Sequence, residues 1–211
     1  MPFLEQVTNC RICSRPHRVF LQEHGKACGQ ACCAMVIHRK QKIEPAEHQL
    51  TGAISMIECP PEKRTDANIA VFHASTPDRM QKLLLAYGIS SEIKNHVGDA
   101  RAMKTIVRAA TAANPVVASV GWEGQGDGHW VLIEGRTKGA RGWSSDYCIS
   151  DPLWGLQSTS LTPDELKLFE DRAKPKTAGL LYNPRNLAFR SGVPPRKGIL
   201  TGKFVVIRTT G

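Results

Sequence analysis

Apolar residues are spaced in two different ways along the chain, and the change comes near Pro115. Before it, they recur three and four positions apart, which is the helical period. After it, short apolar runs are separated by glycine-rich or charged turns, which is typical of strands. Helices followed by a mainly antiparallel sheet indicate an α+β fold with two lobes.

Capping signals place several of these elements. Thr76-Pro77-Asp78 combines an N-cap residue, a proline in the first turn and an early acid, and Thr162 to Glu165 forms a capping box. The predicted helices cover about 45–56, 77–87, 99–112 and 162–172, in addition to a central helix that begins at residue 28. The predicted strands cover 89–94, 116–120, 129–133, 147–149 and 204–207, and we expect residues 174–203 to form a long surface loop.

The central helix is predicted by an unusual apolar segment. From Ala27 to Ile37, every residue except Gly29 and Gln30 is Ala, Cys, Met, Val or Ile. A helix that is apolar on all sides is a buried helix. We therefore expect it to pack against the sheet in the interior of the domain.

Cys28, at the start of this helix, is the candidate nucleophile. The unpaired N–H groups and the positive dipole end of a helix N-terminus stabilise a thiolate and lower the pKa of a cysteine placed there. Gln22 lies six residues earlier. Its side-chain amide and the backbone N–H of Cys28 would form a plausible oxyanion hole.

A cysteine nucleophile needs a base, and the base needs a group that orients it. Among seven histidines, His129 is distinctive because it begins an apolar strand directly after the glycine-rich segment 121–128. Asp151 follows the strand 147–150 and is the preferred orienting carboxylate, with Asp127 and Asp146 as rivals. The alternative roles are a structural histidine for His129 and an Asp-Pro turn for Asp151.

The N-terminal segment contains a C-x-x-C motif, Cys10 to Cys13, followed by His17 and His24. A structural zinc site needs four ligands, typically from two such pairs, and only one pair is present. A redox C-x-x-C is expected near a βαβ pattern, which is missing. Two ordinary thiols in an extended segment are the favoured interpretation, so no metal and no cofactor are expected.

Length and composition indicate one domain, with an N-terminal extension over 1–21, a catalytic core over 22–171 and a basic loop plus final strand over 172–211. No apolar run is long enough to span a membrane, and residues 1–20 lack the pattern of a signal peptide. Seven cysteines, an odd number, indicate reduced thiols. We expect a cytoplasmic protein, or one exported without a classical signal peptide.

The net charge of +9 is confined to the last 40 residues. Residues 1–171 hold 19 basic and 19 acidic side chains, whereas residues 172–211 hold nine basic and no acidic ones. Such a surface attracts an acidic or nucleic-acid-associated protein, and the alternative is a solvated face without a partner. Trp122 and Trp130 flank the glycine-rich segment, either narrowing a substrate cleft or filling the core.

Three motifs together resemble the papain-like cysteine peptidases, and within them the bacterial double-glycine (bacteriocin-processing) group. They are Gln-x5-Cys at a helix start, Gly-His-Trp at a strand start and Ser-Asp-Pro-x-x-Gly, in that order from Gln22 to Gly155. The segment Leu161 to Leu166 also resembles that group's next helix start. Ala27 and Cys33 depart from the group's usual acid and leucine.

The resemblance implies a papain-like two-lobed fold and a thiol endopeptidase. Cys28 would be the nucleophile, His129 the base, Asp151 the orienting group and Gln22 the oxyanion donor. Cleavage after small residues such as Gly-Gly is expected. Stand-alone domains of this kind also resemble antibacterial effector toxins that are exported into the cytoplasm of a target cell, and for these an immunity protein would fill the cleft. The alternatives are another acyl-transfer enzyme (amidase, deamidase or transglutaminase-like) and a non-catalytic basic binding module.

Overall fold

The computed structural model describes residues 4–10, 13, 15–22, 26–58, 62, 76–122, 128–139, 142–160, 168–169, 177–182, 184–186 and 197–208. The described helices are α1 (Cys28–Gln41), α2 (Glu47–Glu58), α3 (Pro77–Ala86) and α4 (Ala100–Ala109). The described strands are β1 (Leu4–Asn9), β2 (Pro16–Leu21), β3 (Ser91–Asn95), β4 (Val116–Trp122), β5 (Gly128–Gly139), β6 (Gly142–Asp151), β7 (Gly155–Ser160), β8 (Leu168–Phe169), β9 (Thr177–Ala178), β10 (Leu180–Tyr182), β11 (Pro184–Asn186) and β12 (Gly198–Ile207).

Helix α1 is buried over its first ten residues, from Cys28 to Ile37. Its all-round apolar sequence is therefore matched by packing on all sides, against β5, β2, α2 and α3. The polar residues of its last turn reach the surface, and Lys42 ends the helix in a left-handed conformation with φ of 63°. The predicted central helix is confirmed.

Antiparallel pairing builds the main sheet, in which seven strands follow the order β10-β12-β4-β5-β6-β7-β11 and β3 pairs with part of β12. Alternate residues of β5 contact different layers because successive side chains point to opposite faces. Trp130 and Leu132 join the core around α1, whereas Val131 and Ile133 join the core beneath α4. The expected α+β class, with the cysteine-bearing helix on a mainly antiparallel sheet, is confirmed.

The chain before α1 forms an antiparallel hairpin of β1 and β2, in register from Leu4 opposite Leu21 to Asn9 opposite Pro16. Strand β2 packs against α1, β6 and β7. The segment predicted as merely extended is thus a hairpin that is fastened to the sheet. It delivers Gln22 to the edge of the site described below.

Capping positions agree with the sequence. The Thr76 hydroxyl accepts a hydrogen bond from the Arg79 amide at 3.3 Å, and the Asp99 carboxylate accepts one from the Ala102 amide at 2.9 Å. These side chains satisfy amide groups that a helix start leaves unpaired. The helices that they begin, α3 and α4, are confirmed within a few residues.

The basic C-terminal region differs from its prediction. The expected loop over 174–203 is wrong where β10, β11 and the first half of β12 lie, because apolar residues such as Leu180, Ile199 and Leu200 are buried in the sheet. The final strand begins at Gly198 rather than Phe204. Leu168 and Phe169 form strand β8 where a late helix was expected, and the capping box of that helix lies outside the described residues.

Every helix in the described part of the chain is too short or too polar to cross a lipid bilayer.

Candidate active site

Cys28 lies at the N-terminal end of α1 and is 6% exposed. Ala27 occupies the N-cap position, and its methyl side chain makes no capping hydrogen bond. The first-turn amides and the positive end of the helix dipole therefore face this end of the helix uncovered by a capping oxygen.

His129, at the second residue of β5, is brought to Cys28 although 101 residues separate them in the chain. The Cys28 thiol lies beside its imidazole, and a hydrogen bond between the two is among the causes that raise the pKa of His129. On the other side, Nε2 of His129 lies 2.9 Å from Oδ1 of Asp151, the last residue of β6. Thiol, imidazole and carboxylate thus form a continuous chain of contacts.

The charge state of His129 follows from these neighbours. Burial by itself lowers the pKa of the imidazole, but the charge and hydrogen bond of Asp151, with the contact to Cys28, raise it to about 10. An imidazolium is therefore the stable form at neutral pH. It lies between two groups that are able to carry negative charge.

Asp151 is fully buried and held in place by the turn that it starts. Its Oδ1 accepts backbone hydrogen bonds from Leu153 at 2.7 Å and Trp154 at 3.2 Å. The sequence left two alternative roles for Asp151, which were to start an Asp-Pro turn or to orient His129. The same carboxylate makes both sets of contacts, so the two roles coexist. The backbone of the turn therefore holds the carboxylate in position independently of its contact with His129.

Tyr182 of β10 was not singled out from the sequence. Its hydroxyl donates to Oε1 of Gln157 at 2.7 Å and also lies 3.4 Å from Oδ2 of Asp151. Burial, followed by the charge of Asp151, raises the pKa of Tyr182, so the phenol stays protonated. The sequence did not point to Tyr182, because this residue lies within the basic region that was expected to be a loop.

Two tryptophans enclose the imidazole. The indole of Trp122 stacks on His129, with ring centroids 5.3 Å apart and planes 27° apart. Trp154, also not singled out, presents its ring edge-on to His129 at 5.9 Å and to Trp122 at 5.2 Å. Trp130 instead packs in the core around α1. The sequence offered one signal for Trp154, its place inside the Asp-Pro-x-x-Gly turn.

Gln22 follows directly after β2 and is 6% exposed. Its backbone N–H donates to the carbonyl of Pro152 at 2.9 Å. The residue predicted as oxyanion donor is therefore tied to the same turn that holds Asp151.

The rival residues are located elsewhere or lie outside the described residues. Asp146 is at the other half of β6, five residues from Asp151, and Asp127 is not among the described residues. His38 is near the C-terminal end of α1, where Arg18 contacts it at 3.2 Å. His24 and His73 also lie outside the described residues.

The other cysteines among the described residues fall into two groups. Cys32 and Cys33 are fully buried in α1, and burial raises the pKa of both thiols, which makes them poor nucleophiles. Cys10, Cys13 and His17 meet Cys148 of β6 in a cluster that the sequence did not predict. Cys148 is 135 residues from Cys13, so no spacing rule connects them.

No protein-family model matches the chain, and no curated protein matches it either. Among solved structures, it is similar to a double glycine motif protease from an AMS/PCAT transporter, whose crystal structure was determined in complex with the leader peptide. The TM-score is 0.47 and the sequence identity 17%, with 98% of this chain and 99% of that chain covered.

Proposed function

We propose that this protein is a cysteine endopeptidase that uses Cys28 as its nucleophile, His129 as acid and base, and Asp151 as the group that positions the imidazole. One observation carries the proposal: the thiol at an uncapped helix start, the buried imidazole and the buried carboxylate contact one another in sequence. This is the arrangement that thiol acyl transfer requires. The sequence motifs described above support the same conclusion independently.

In the first half of the reaction, the Cys28 thiolate attacks the scissile carbonyl carbon. The C=O electron pair moves to oxygen, and the Cys28 backbone N–H and the Gln22 side-chain amide stabilise this oxyanion. The oxyanion then collapses, the C–N bond breaks and the His129 imidazolium gives its proton to the leaving amine. A thioester and a neutral imidazole remain.

In the second half, neutral His129 removes a proton from water as the water oxygen attacks the thioester carbon. The C–S bond breaks, the new carboxylic acid leaves and Cys28 is again a thiolate beside an imidazolium. Asp151 holds the imidazole ring in place and stabilises the imidazolium. No metal ion or cofactor enters this sequence of steps.

For the substrate, we propose a protein segment with small residues such as Gly-Gly before the cut. Trp122 and Trp154 pack against the imidazole, and such bulky neighbours would favour small side chains beside the cut. The basic C-terminal region would supply a docking surface for an acidic protein. Its described cations Lys197, Lys203 and Arg208 are exposed, although Arg208 already pairs with Glu92.

The test is incubation of the full chain with peptides containing Gly-Gly sites, followed by intact-mass analysis. Wild type is expected to release two fragments, Cys28→Ala none, and the matched control Cys33→Ala both. A gain of about one dalton in the mass of an uncleaved peptide would instead identify a deamidase. If Cys28→Ala cleaves as fast as wild type, the proposed nucleophile is wrong.

The proposed use as an antibacterial effector is tested by expression in the bacterial cytoplasm. Growth arrest by wild type that disappears in Cys28→Ala supports it. Equal growth inhibition by both proteins contradicts it and favours a binding module.

A further inference from the structure

We propose that Cys10, Cys13, His17 and Cys148 form a structural site for one Zn²⁺ ion, which fastens the N-terminal hairpin to the sheet that carries His129 and Asp151. The proposal does not depend on the peptidase chemistry. It concerns a cluster that the proposed mechanism leaves unused and that the C-x-x-C motif alone did not predict.

The spacing of the four donor atoms fits a tetrahedral metal. The three Sγ atoms and one ring nitrogen all lie within 4.8 Å of one another. Sγ of Cys10 is 3.6 Å from Sγ of Cys148, and Sγ of Cys13 is 2.9 Å from Nε2 of His17. Usual Zn–S and Zn–N bond lengths give tetrahedral edges of about 3.5 to 3.8 Å. Binding of an ion would therefore move the Cys13 sulfur and Nε2 of His17 apart by about 0.6 Å and draw any pair near the 4.8 Å limit closer together.

The ligand set is one that zinc prefers. Three thiolates and one imidazole are a recognised structural combination, and soft donors in tetrahedral geometry select zinc over magnesium or calcium. Cys10, His17 and Cys148 are almost fully buried, so an ion bound there is shielded from exchange with solvent. The Cys13 backbone N–H points to Sγ of Cys10 at 3.3 Å and would stabilise negative charge on that sulfur.

A second layer of contacts orients the imidazole. Nδ1 of His17 lies 2.6 Å from Oε2 of Glu134, so this nitrogen carries the proton and Nε2 is left to bind a metal. Metal-binding histidines typically donate their other N–H to a carboxylate in this way. Glu134 is itself fixed by Arg39 at 2.8 Å and by the Ser150 hydroxyl. A cluster of thiols that bound no metal would not need this second layer of contacts around His17.

An ion has a route to the site from solvent. Cys13 is the half-buried member of the cluster, and it lines a surface pocket of about 240 Å³ together with Arg15 and Gly135. Entry from this side would not disturb the sheet.

The position of the cluster explains what the ion would hold together. Cys10 and Cys13 lie in the turn between β1 and β2, and His17 is in β2, the strand that leads to Gln22. Cys148 is in β6, three residues before Asp151, and Glu134 is in β5, five residues after His129. The ion would therefore fix the oxyanion donor relative to the strands that bear the base and its carboxylate.

The decisive measurement is the zinc content of the full chain, purified with reductant, loaded with Zn²⁺ and freed of excess ion. We expect about one zinc per chain in wild type and in the control Cys33→Ser, and loss of most of it in Cys148→Ser. Glu134→Gln, which keeps an acceptor for His17, should weaken zinc binding by about 10-fold or more. Co²⁺ loaded into wild type should give the intense visible absorption of a tetrahedral thiolate complex.

Two results would overturn the proposal. One is a folded wild-type protein that retains no zinc after loading and shows no tetrahedral Co²⁺ spectrum. The other is a chain whose mass, after the same reductant treatment, lacks two hydrogen atoms because two of the three cysteines form a disulfide. Because the Co²⁺ spectrum is recorded on wild type, the proposal stays testable even if Cys148→Ser does not fold. Neither result bears on peptide cleavage by Cys28.

Discussion

The indole of Trp122 stacks on the imidazole of His129, with 5.3 Å between ring centroids. The electron-rich face of an indole attracts a cation, and His129 is an imidazolium at neutral pH. Trp122 was predicted to narrow a substrate cleft or fill the core. Its stacking on His129 indicates a further task, which is to stabilise the charged form of the imidazole.

Replacing Trp122 tests this task. Trp122→Leu removes the aromatic face, so the pKa of His129 should fall, and the alkaline limb of kcat/KM should move to lower pH by up to about one pH unit. Trp122→Phe keeps an aromatic face and should retain most of the wild-type profile. The measurement is the pH–rate profile of the three proteins. Equal profiles for Leu and Phe would show that stacking does not matter.

Removal of the Asp151 carboxylate should change the pH–rate profile more than removal of the Trp122 ring does. Burial lowers the pKa of His129 and Asp151 raises it to about 10, so in Asp151→Asn the effect of burial prevails and the pKa falls. We expect the alkaline limb to move to lower pH and turnover to fall by roughly 10²- to 10⁴-fold. Asp146→Asn, on the same strand, is the control and should leave the pH profile unchanged. Wild-type turnover in Asp151→Asn would exclude the proposed role.

The interaction between His129 and Asp151 makes the free energy of unfolding depend on pH. The folded-state pKa of His129 lies above its unfolded value, so the stabilisation is fully present below about pH 6.5 and is lost as the pH rises through about 10. The difference in unfolding free energy between wild type and Asp151→Asn should accordingly shrink between these two pH values. Urea titrations at a series of pH values measure it. If this difference in unfolding free energy stayed constant with pH, the raised pKa of His129 would be contradicted.

Tyr182→Phe removes one hydroxyl without changing ring packing. Oε1 of Gln157 loses its 2.7 Å donor, and Oδ2 of Asp151 loses a polar neighbour, both in the buried core. We expect a loss of about 1–3 kcal/mol in the free energy of unfolding. Denaturant titration measures it. Unchanged stability would mean that water replaces the hydroxyl.

Thiol labelling should distinguish the cysteines of α1. Burial raises the pKa of Cys32 and Cys33, so both should react slowly with iodoacetamide in the folded protein. Cys28, beside an imidazolium, should be alkylated first. Peptide mapping after brief exposure gives the order. Labelling of Cys33 before Cys28 would contradict the proposed nucleophile.

Two glycines form a matched pair for backbone packing. A Cβ on Gly198 would lie 2.3 Å from the Gly121 carbonyl oxygen, whereas a Cβ on Gly52 in α2 meets nothing within 4 Å. Gly198→Ala should therefore cost about 1–3 kcal/mol. Gly52→Ala should stabilise the fold by up to about 1 kcal/mol, because alanine is the better helix former. Thermal unfolding of both variants measures the difference.

Local signals in the sequence predicted the parts of the fold that depend on neighbours in the chain. The all-apolar run after Ala27 predicted the buried helix, and Thr76 and Asp99 marked helix starts that the structure confirms. The wrong loop prediction came from composition. Residues 174–203 are rich in proline, glycine and basic side chains, but Leu180, Tyr182 and Leu200 among them are buried in the sheet.

The contacts at the candidate site were only partly foreseeable. Spacing and element boundaries suggested Cys28, His129 and Asp151, which the fold brings into contact. Tyr182 and Cys148 have no local motif, because their roles arise only when distant strands pair. Such long-range pairing is set by topology, and a single sequence carries no direct record of it.

Strand β12 lies between β10 and β4 in the sheet, although it comes after both in the chain. During synthesis, β4 can pair with β5 but must keep its other edge open until residues 198–207 leave the ribosome. At about 5–20 residues per second, that interval lasts several seconds. An exposed strand edge attracts other chains during this time, so the nascent protein should depend on chaperones to hold β4 until its last neighbour is made.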